Sequence, residues 1–315
     1  MTSPHDSTLN MMVRMNDQIF ARIHEGKLSY PKDVETLLSY VDMSVKLNEP
    51  IVAGWVMLTV GVANSYMGKL EQSIADYDAA YKLFAERRDY VHMAAAINNM
   101  GETHRVRGTY QTALDLYRDA LKLSEKAPED YVHPVSTLTR NALVQILVSN
   151  IGLCYLALSN FNEAETTFEQ ALALFEGQTR ANLDSMCEIR RGLAEVYLAQ
   201  NNLPDAYSSI ELARTTAESI QNNVILGDIF LTMAHILEAD PNATESAIDY
   251  YRHSRELLQS GNLPITFART VLSEARYQRN IGNTAEAHRL AAEAHELFLQ
   301  IGMDEEARLA TAMLV

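Results

Sequence analysis

With 315 residues, 47% of them hydrophobic, the chain is long enough for two compact domains or one long array. Its net charge of −15 makes nucleic acid a poor partner, because binding phosphates needs a basic stripe. No apolar run approaches the roughly 18 residues of a membrane-spanning helix, and the opening stretch lacks the basic and apolar regions of a secretion signal. Cys154 and Cys187 are too few for a disulfide framework, so a reducing, cytoplasmic location is expected. Proline is scarce and β-branched alternation is absent, which predicts an all-α protein.

Taken in chain order, residues 1–8 are polar and expected to be disordered. Residues 9–48 form a weak helix pair, Leu9–His24 and Asp33–Leu47, joined by a long turn containing Pro31; this is the expected N-terminal cap of an array. Six similar units follow over residues 50–300, with first helices opening near Trp55, Ala95, Gln145, Glu188, Asp228 and Arg269, at a period of about 40 residues. Three columns of small residues hold the register. Gly61, Gly101, Gly152, Ala194, Ala234 and Ala275 share one position of the first helix. Ser73, Ala113, Ala164, Ala206, Ala247 and Ala287 share an early position of the second. Ala80, Ala120, Ala171, Ala213, Ser254 and Ala294 share a later one. Two helices about 8–10 Å apart leave no room for a large side chain at their crossing, and the larger residues beside the columns (Tyr77, Tyr117, Phe168, Ile210 and Tyr251) are expected to fill the gaps.

The stretch 124–141, with Pro128 and Pro134, is the largest irregularity and reads either as an extended link or as a binding loop or hinge. Tyr131 and Val132 are expected to fold back onto the array. Repeat five has a long turn around Pro241. Residues 303–315 predict a last, capping helix with Ala307, Leu309, Ala310 and Met313 on its apolar side and Asp304 or a neighbour as its cap; the same apolar ending also suits a piece of a longer chain.

The pattern of a small residue and tyrosine in the first helix, then alanine, aromatic and alanine in the second, resembles the tetratricopeptide repeat over most of the chain. Two features depart from it: the tryptophan position is mostly aliphatic and the terminal proline is missing. The period exceeds the family's shorter form of about 34 residues and is similar to the repeats of Rap-type peptide receptors, kinesin light chains and bacterial signalling proteins. The resemblance implies one right-handed α-α superhelical domain spanning 9–315, with first helices lining a concave groove.

No arrangement that carries chemistry stands out. There is no phosphate-cradling glycine loop and no G-x-S-x-G elbow, and His295-Glu296 lacks a second histidine four residues on. Cys154 reads as core, His104 as a packing histidine, and no metal or cofactor is expected. Mapped by the resemblance, the groove positions include Trp55, Tyr66, Asn98, Glu102, Arg105, Ser149, Arg191, Glu195, His235, Arg269, Arg276 and Arg279, running from apolar through polar to basic. Leu58, Val62, Asn99, Ile146 and Asn150 stand where chaperone-binding members carry a carboxylate clamp, so chaperone-tail binding is not expected. Asn98 is the residue suited to a peptide backbone, with one amide donor and one acceptor. Arg269, Arg276 and Arg279 fall on one helix face suited to an acidic partner. The resulting expectation is a non-catalytic scaffold that binds a protein or peptide segment, with no nucleic acid or membrane partner and with self-association open. The alternative is a regulatory or sensory module of a bacterial signalling protein, followed by an output domain.

Overall fold

The computed structural model describes residues 4–24, 27–128, 131, 136–175, 183–261 and 263–314. Among these residues the secondary structure is α-helical throughout. An N-terminal pair, α1 (Pro4–His24) and α2 (Lys32–Lys46), precedes twelve further helices before the last. These begin with α3 (Pro50–Tyr66) on α4 (Leu70–Ala85) and α5 (Tyr90–Arg107) on α6 (Tyr110–Ser124), followed in sequence by α7 (Arg140–Ala157) and α8 (Phe161–Ala173). They continue with α9 (Leu183–Ala199) and α10 (Leu203–Ser219), α11 (Asn223–Ala239) and α12 (Ala247–Ser260), and α13 (Pro264–Asn280) and α14 (Thr284–Gln300); α15 (Asp304–Thr311) closes the chain. None of the helices is long and apolar enough to cross a membrane, among the described residues.

Helix α1 begins at Pro4, ahead of the expected start at Leu9. The chain forms two compact units, Met1–Leu158 and Ser159–Val315. In an array each repeat touches only its neighbours, so a long stack parts readily into two compact bodies. Val132 and Pro134 lie outside the described residues. Tyr131 does pack on the core of its unit, against the α5–α6–α7 cluster.

All three small-residue columns are buried. The reason lies in the rings beside them. A Cβ built on Gly61 would stand 2.4 Å from Cε1 of Tyr77, and one on Gly101 2.6 Å from Cε1 of Tyr117. Between successive repeats, a Cβ on Gly192 would stand 2.4 Å from Cζ of Phe168. Where serine replaces alanine in a column, its hydroxyl finds a partner: Ser254 donates to the Gly227 carbonyl at 2.7 Å, and Ser73 meets the Thr103 hydroxyl at 3.2 Å.

The links are equally regular. Many place one residue in the left-handed region, including Gly68, Gly108, Ser159, Asn201 and Gly282. At Gly108 (φ 87°) the chain turns while two N–H groups return to the end of α5: Gly108 N–H donates to the Arg105 carbonyl and Thr109 N–H to that of His104. The last helix covers the flank of α14, with Met303, Ala307, Ala310 and Met313 in the core. Asp304 is not its cap: Met303 holds that position without a side-chain bond, and Leu309 faces solvent.

Gly192→Ala is expected to destabilise unit 2 by about 1–3 kcal/mol through overpacking, read by urea denaturation, with Phe168→Leu in the same chain recovering part of the loss. Gly108→Ala, which meets no atom within 4 Å, should cost only the roughly 1–2 kcal/mol of left-handed backbone and gain nothing from the second change.

Candidate functional site

Within each unit the first helices touch in succession: α1 with α3, α3 with α5 and α5 with α7 in unit 1, and α9 with α11 and α11 with α13 in unit 2. These helices therefore form one continuous wall of their unit, and the wall carries the positions singled out from the sequence.

In unit 1 the N-terminal helix takes the apolar start of the wall. Trp55 turns its Nε1–H toward Asp17 at 3.5 Å, and the Tyr66 hydroxyl meets His24 Nδ1 at 3.1 Å, so both groups lean on α1. Asn98 is 7% exposed and links two helices: its oxygen accepts from Asn150 Nδ2 at 2.9 Å while its nitrogen donates to Asn99 Oδ1 at 3.2 Å. The remaining amide proton and lone pair are what it can offer a ligand. Ser149 returns its hydroxyl to the Gln145 carbonyl at 2.8 Å and stays buried. Glu102 forms a two-point pair with Arg105, at 3.2 and 2.7 Å, and also accepts from the Tyr117 hydroxyl. Burial alone would raise the Glu102 pKa, but the Arg105 charge and these bonds hold it below the ordinary carboxylate value.

The wall of unit 2 carries an ionic lattice. Arg191 lies between Glu195 (2.5 Å) and Glu188 (2.8 Å) on its own helix, and Thr232 of α11 donates to the same Glu195 oxygen at 3.0 Å. Burial opposes the Arg191 charge, yet Glu188, Glu195 and Asp228 outweigh it and keep the guanidinium protonated. His235, one turn beyond Thr232, stands edge-on to Tyr251 with ring centres 6.0 Å apart. Burial pushes its pKa down, Glu195 works the other way, and Arg276 and Arg191 add to the fall. The three arginines of α13 do not form one open basic face. Arg269 is drawn to Glu306 of α15 at 3.3 Å, whereas Arg276 and Arg279 are exposed and make no ion pair among the described residues.

One constellation was not legible from the sequence. Asp89 caps α5 by accepting from His92 N–H at 3.2 Å and also meets His92 Nδ1, while His92 Nε2 lies 2.7 Å from Ser136 Oγ. The order Asp, His, Ser matches the one that activates nucleophilic serines. Here the imidazole is fully buried between Trp55 (5.8 Å) and Phe84 (5.2 Å), and the chain of bonds ties the link before α7 to the start of α5. Ser136 lies 44 residues from His92, beyond any local spacing rule. The cysteines are core residues: burial pushes both thiols up to about 12, far from the reactive thiolate. Among the described residues no three His, Cys, Asp or Glu side chains gather as a metal site.

A tetratricopeptide repeat model matches residues 53–126 and 143–219. Over those two stretches the chain carries tetratricopeptide repeats. Solved structures extend the likeness beyond the matched segments. Aspartyl phosphate phosphatase F from Bacillus subtilis aligns with a TM-score of 0.68 at 13% identity, over 92% of this chain and 70% of that one. The apo form of RapI aligns at 0.62 and 16% identity, over 86% and 99%. A Rap protein complexed with Competence and Sporulation Factor aligns at 0.55 and 14%, over 100% and 87%. At these identities the likeness is one of fold. No protein of curated function matches the sequence. The long-period repeats expected from the columns are thus those of the Rap-type fold.

His92→Leu should break the bridge from Asp89 to Ser136 and cost about 1–3 kcal/mol, measured by urea denaturation, with faster proteolysis near residue 136. A second expectation follows from the depressed pKa of His235. Below its ordinary value of 6.5 the unfolded chain takes up a proton that the folded repeats resist. Stability should therefore decline as pH falls through and below 6.5, and His235→Gln should flatten that decline, as read from denaturation midpoints at stepped pH.

Proposed function

We propose that the protein is a non-catalytic interaction scaffold whose first helices hold a peptide or protein segment. The observation that carries this reading is the wall of unit 2. Its ionic groups already satisfy one another around Arg191, which fixes their geometry before any partner arrives, while Arg276 and Arg279 remain exposed beside them. A prearranged surface with two open guanidinium groups suits a segment that brings a carboxylate, since a guanidinium pairs with it at two points. In unit 1, Asn98 and the Glu102–Arg105 pair offer amide and charged contacts to a peptide backbone. The family resemblance supports the same use of the first helices, and one structural neighbour is a Rap protein with a factor bound.

A regulatory reading fits within this one. The likeness in fold to Rap proteins favours a module that senses a partner and passes the state on, and the acidic composition suits a cytoplasmic setting. Self-association through the open arginines and the acidic surface of a second copy is the competing use of the same groups.

A photo-crosslinking amino acid at Arg276 or Arg105 should trap one shared partner in source cells, whereas the same probe at the outward Lys82 or Lys122 should not. Arg276→Glu with Arg279→Glu should lower capture of that partner at least about tenfold, equivalent to 1.4 kcal/mol, with the helical signal and melting unchanged. Trapping only from Lys82 or Lys122 would place the interaction on the second helices and remove this reading.

A further inference from the structure

We propose that a cleft between the second helices α10 and α12 is a separate binding site, one that takes an arginine or lysine side chain from a partner segment. The cleft has a volume of about 540 Å³ and is lined by Arg214 of α10, Phe230 of α11, Glu245 of the α11–α12 link, and Asp249, Tyr250 and His253 of α12. None of the wall residues Arg191, Glu195, His235 or Arg276 lines it.

Three rings and a set of carboxylates define its chemistry. Phe230 stands edge-on to Tyr250 with ring centres 5.7 Å apart, and His253 lies 6.0 Å from Phe230 on the same helix as Tyr250. A cation within about 6 Å of such a ring is attracted by its negative face. The cation already present is not available to an anionic ligand. Arg214 gives its Nε and one terminal nitrogen to Glu211 at 3.0 and 2.6 Å, and turns the other toward Glu218 at 3.4 Å. Asp249 is paired with Arg252 at 2.9 Å, and Glu245 accepts from the Tyr250 hydroxyl at 2.6 Å. The cleft and its immediate partners thus set Glu211, Glu218, Glu245 and Asp249 against Arg214 and Arg252, an excess of negative charge on an aromatic floor. Burial, with Glu245 beside it, pushes the Tyr250 phenol up to about 12, so the ring stays neutral and donates to the carboxylate.

The lip of the cleft is the long turn noted in repeat five. It is held from both sides: Tyr207 donates to Asp240 at 3.1 Å, and the Asn242 N–H donates to the same carboxylate at 2.9 Å. These bonds fix the start of the turn, and the Tyr250 hydroxyl holds Glu245 at its end. An anion at the start of α12 would face Glu245 and Asp249 directly, which disfavours it.

Fluorescence anisotropy on the full chain tests the site with three labelled peptides of about twelve residues, Gly/Ser-rich and carrying three arginines, three citrullines or three glutamates. The arginine peptide should bind at least about tenfold more tightly than the citrulline peptide. Glu245→Gln with Asp249→Asn, both on exposed side chains, should weaken it about tenfold, and Phe230→Leu about fivefold with melting unchanged. Arg276→Gln with Arg279→Gln should leave the affinity within about twofold, which separates this site from the first-helix wall. Equal binding by the Glu245→Gln, Asp249→Asn chain would reduce the effect to diffuse attraction by net charge. Absence of binding, or preference for the glutamate peptide, would overturn the proposal outright.

Discussion

An aromatic ring laid directly on a glycine sets the spacing of this molecule. At Gly61, Gly101 and Gly192 a single added carbon would overlap Tyr77, Tyr117 or Phe168. Such contacts bring helix axes close enough for each repeat to bury its stripe against the next, and they do so within pairs and between them. Helices of this length are marginal alone, so their stability comes from the neighbour. The left-handed residues in the links then fix the angle at which each helix meets the crossing.

That spacing has a functional consequence. Because the second helices supply the rings, the first helices can stand side by side and present polar residues on their remaining face. The lattice of Glu188, Arg191, Glu195 and Thr232 spans two successive first helices, and Asn98 and Asn150 span two others. Both depend on a fixed distance between repeats. A wall of this kind is ordered before it meets a ligand, which lowers the entropy lost on binding.

The fold was legible because close packing leaves a mark at every repeat: the small-residue columns, Tyr117 and Phe168 beside them, and the glycine turns. The site was less so. The apolar start of the wall at Trp55 suits either a ligand or cover by the N-terminal pair, and α1, packed on α3, engages both Trp55 and Tyr66. Arg269 was grouped with Arg276 and Arg279 by helical spacing alone, whereas its partner, Glu306, lies 37 residues away on the closing helix. The Asp89–His92–Ser136 chain joins a helix cap to a distant link, and the aromatic cleft near Tyr250 assembles from three helices. Periodicity reports which face of a helix is buried; it does not report which polar groups meet across repeats.

Amide hydrogen exchange of the free protein at neutral pH tests the central claim, that the first-helix walls are built by the crossings and need no partner. The account predicts the slowest exchange in the first helices around Gly61, Gly101, Ala194 and Ala234, at rates close to those of global unfolding. If those segments exchanged as fast as the exposed links around Gly108 and Asn201, the walls would be ordered only on binding and the account would be contradicted.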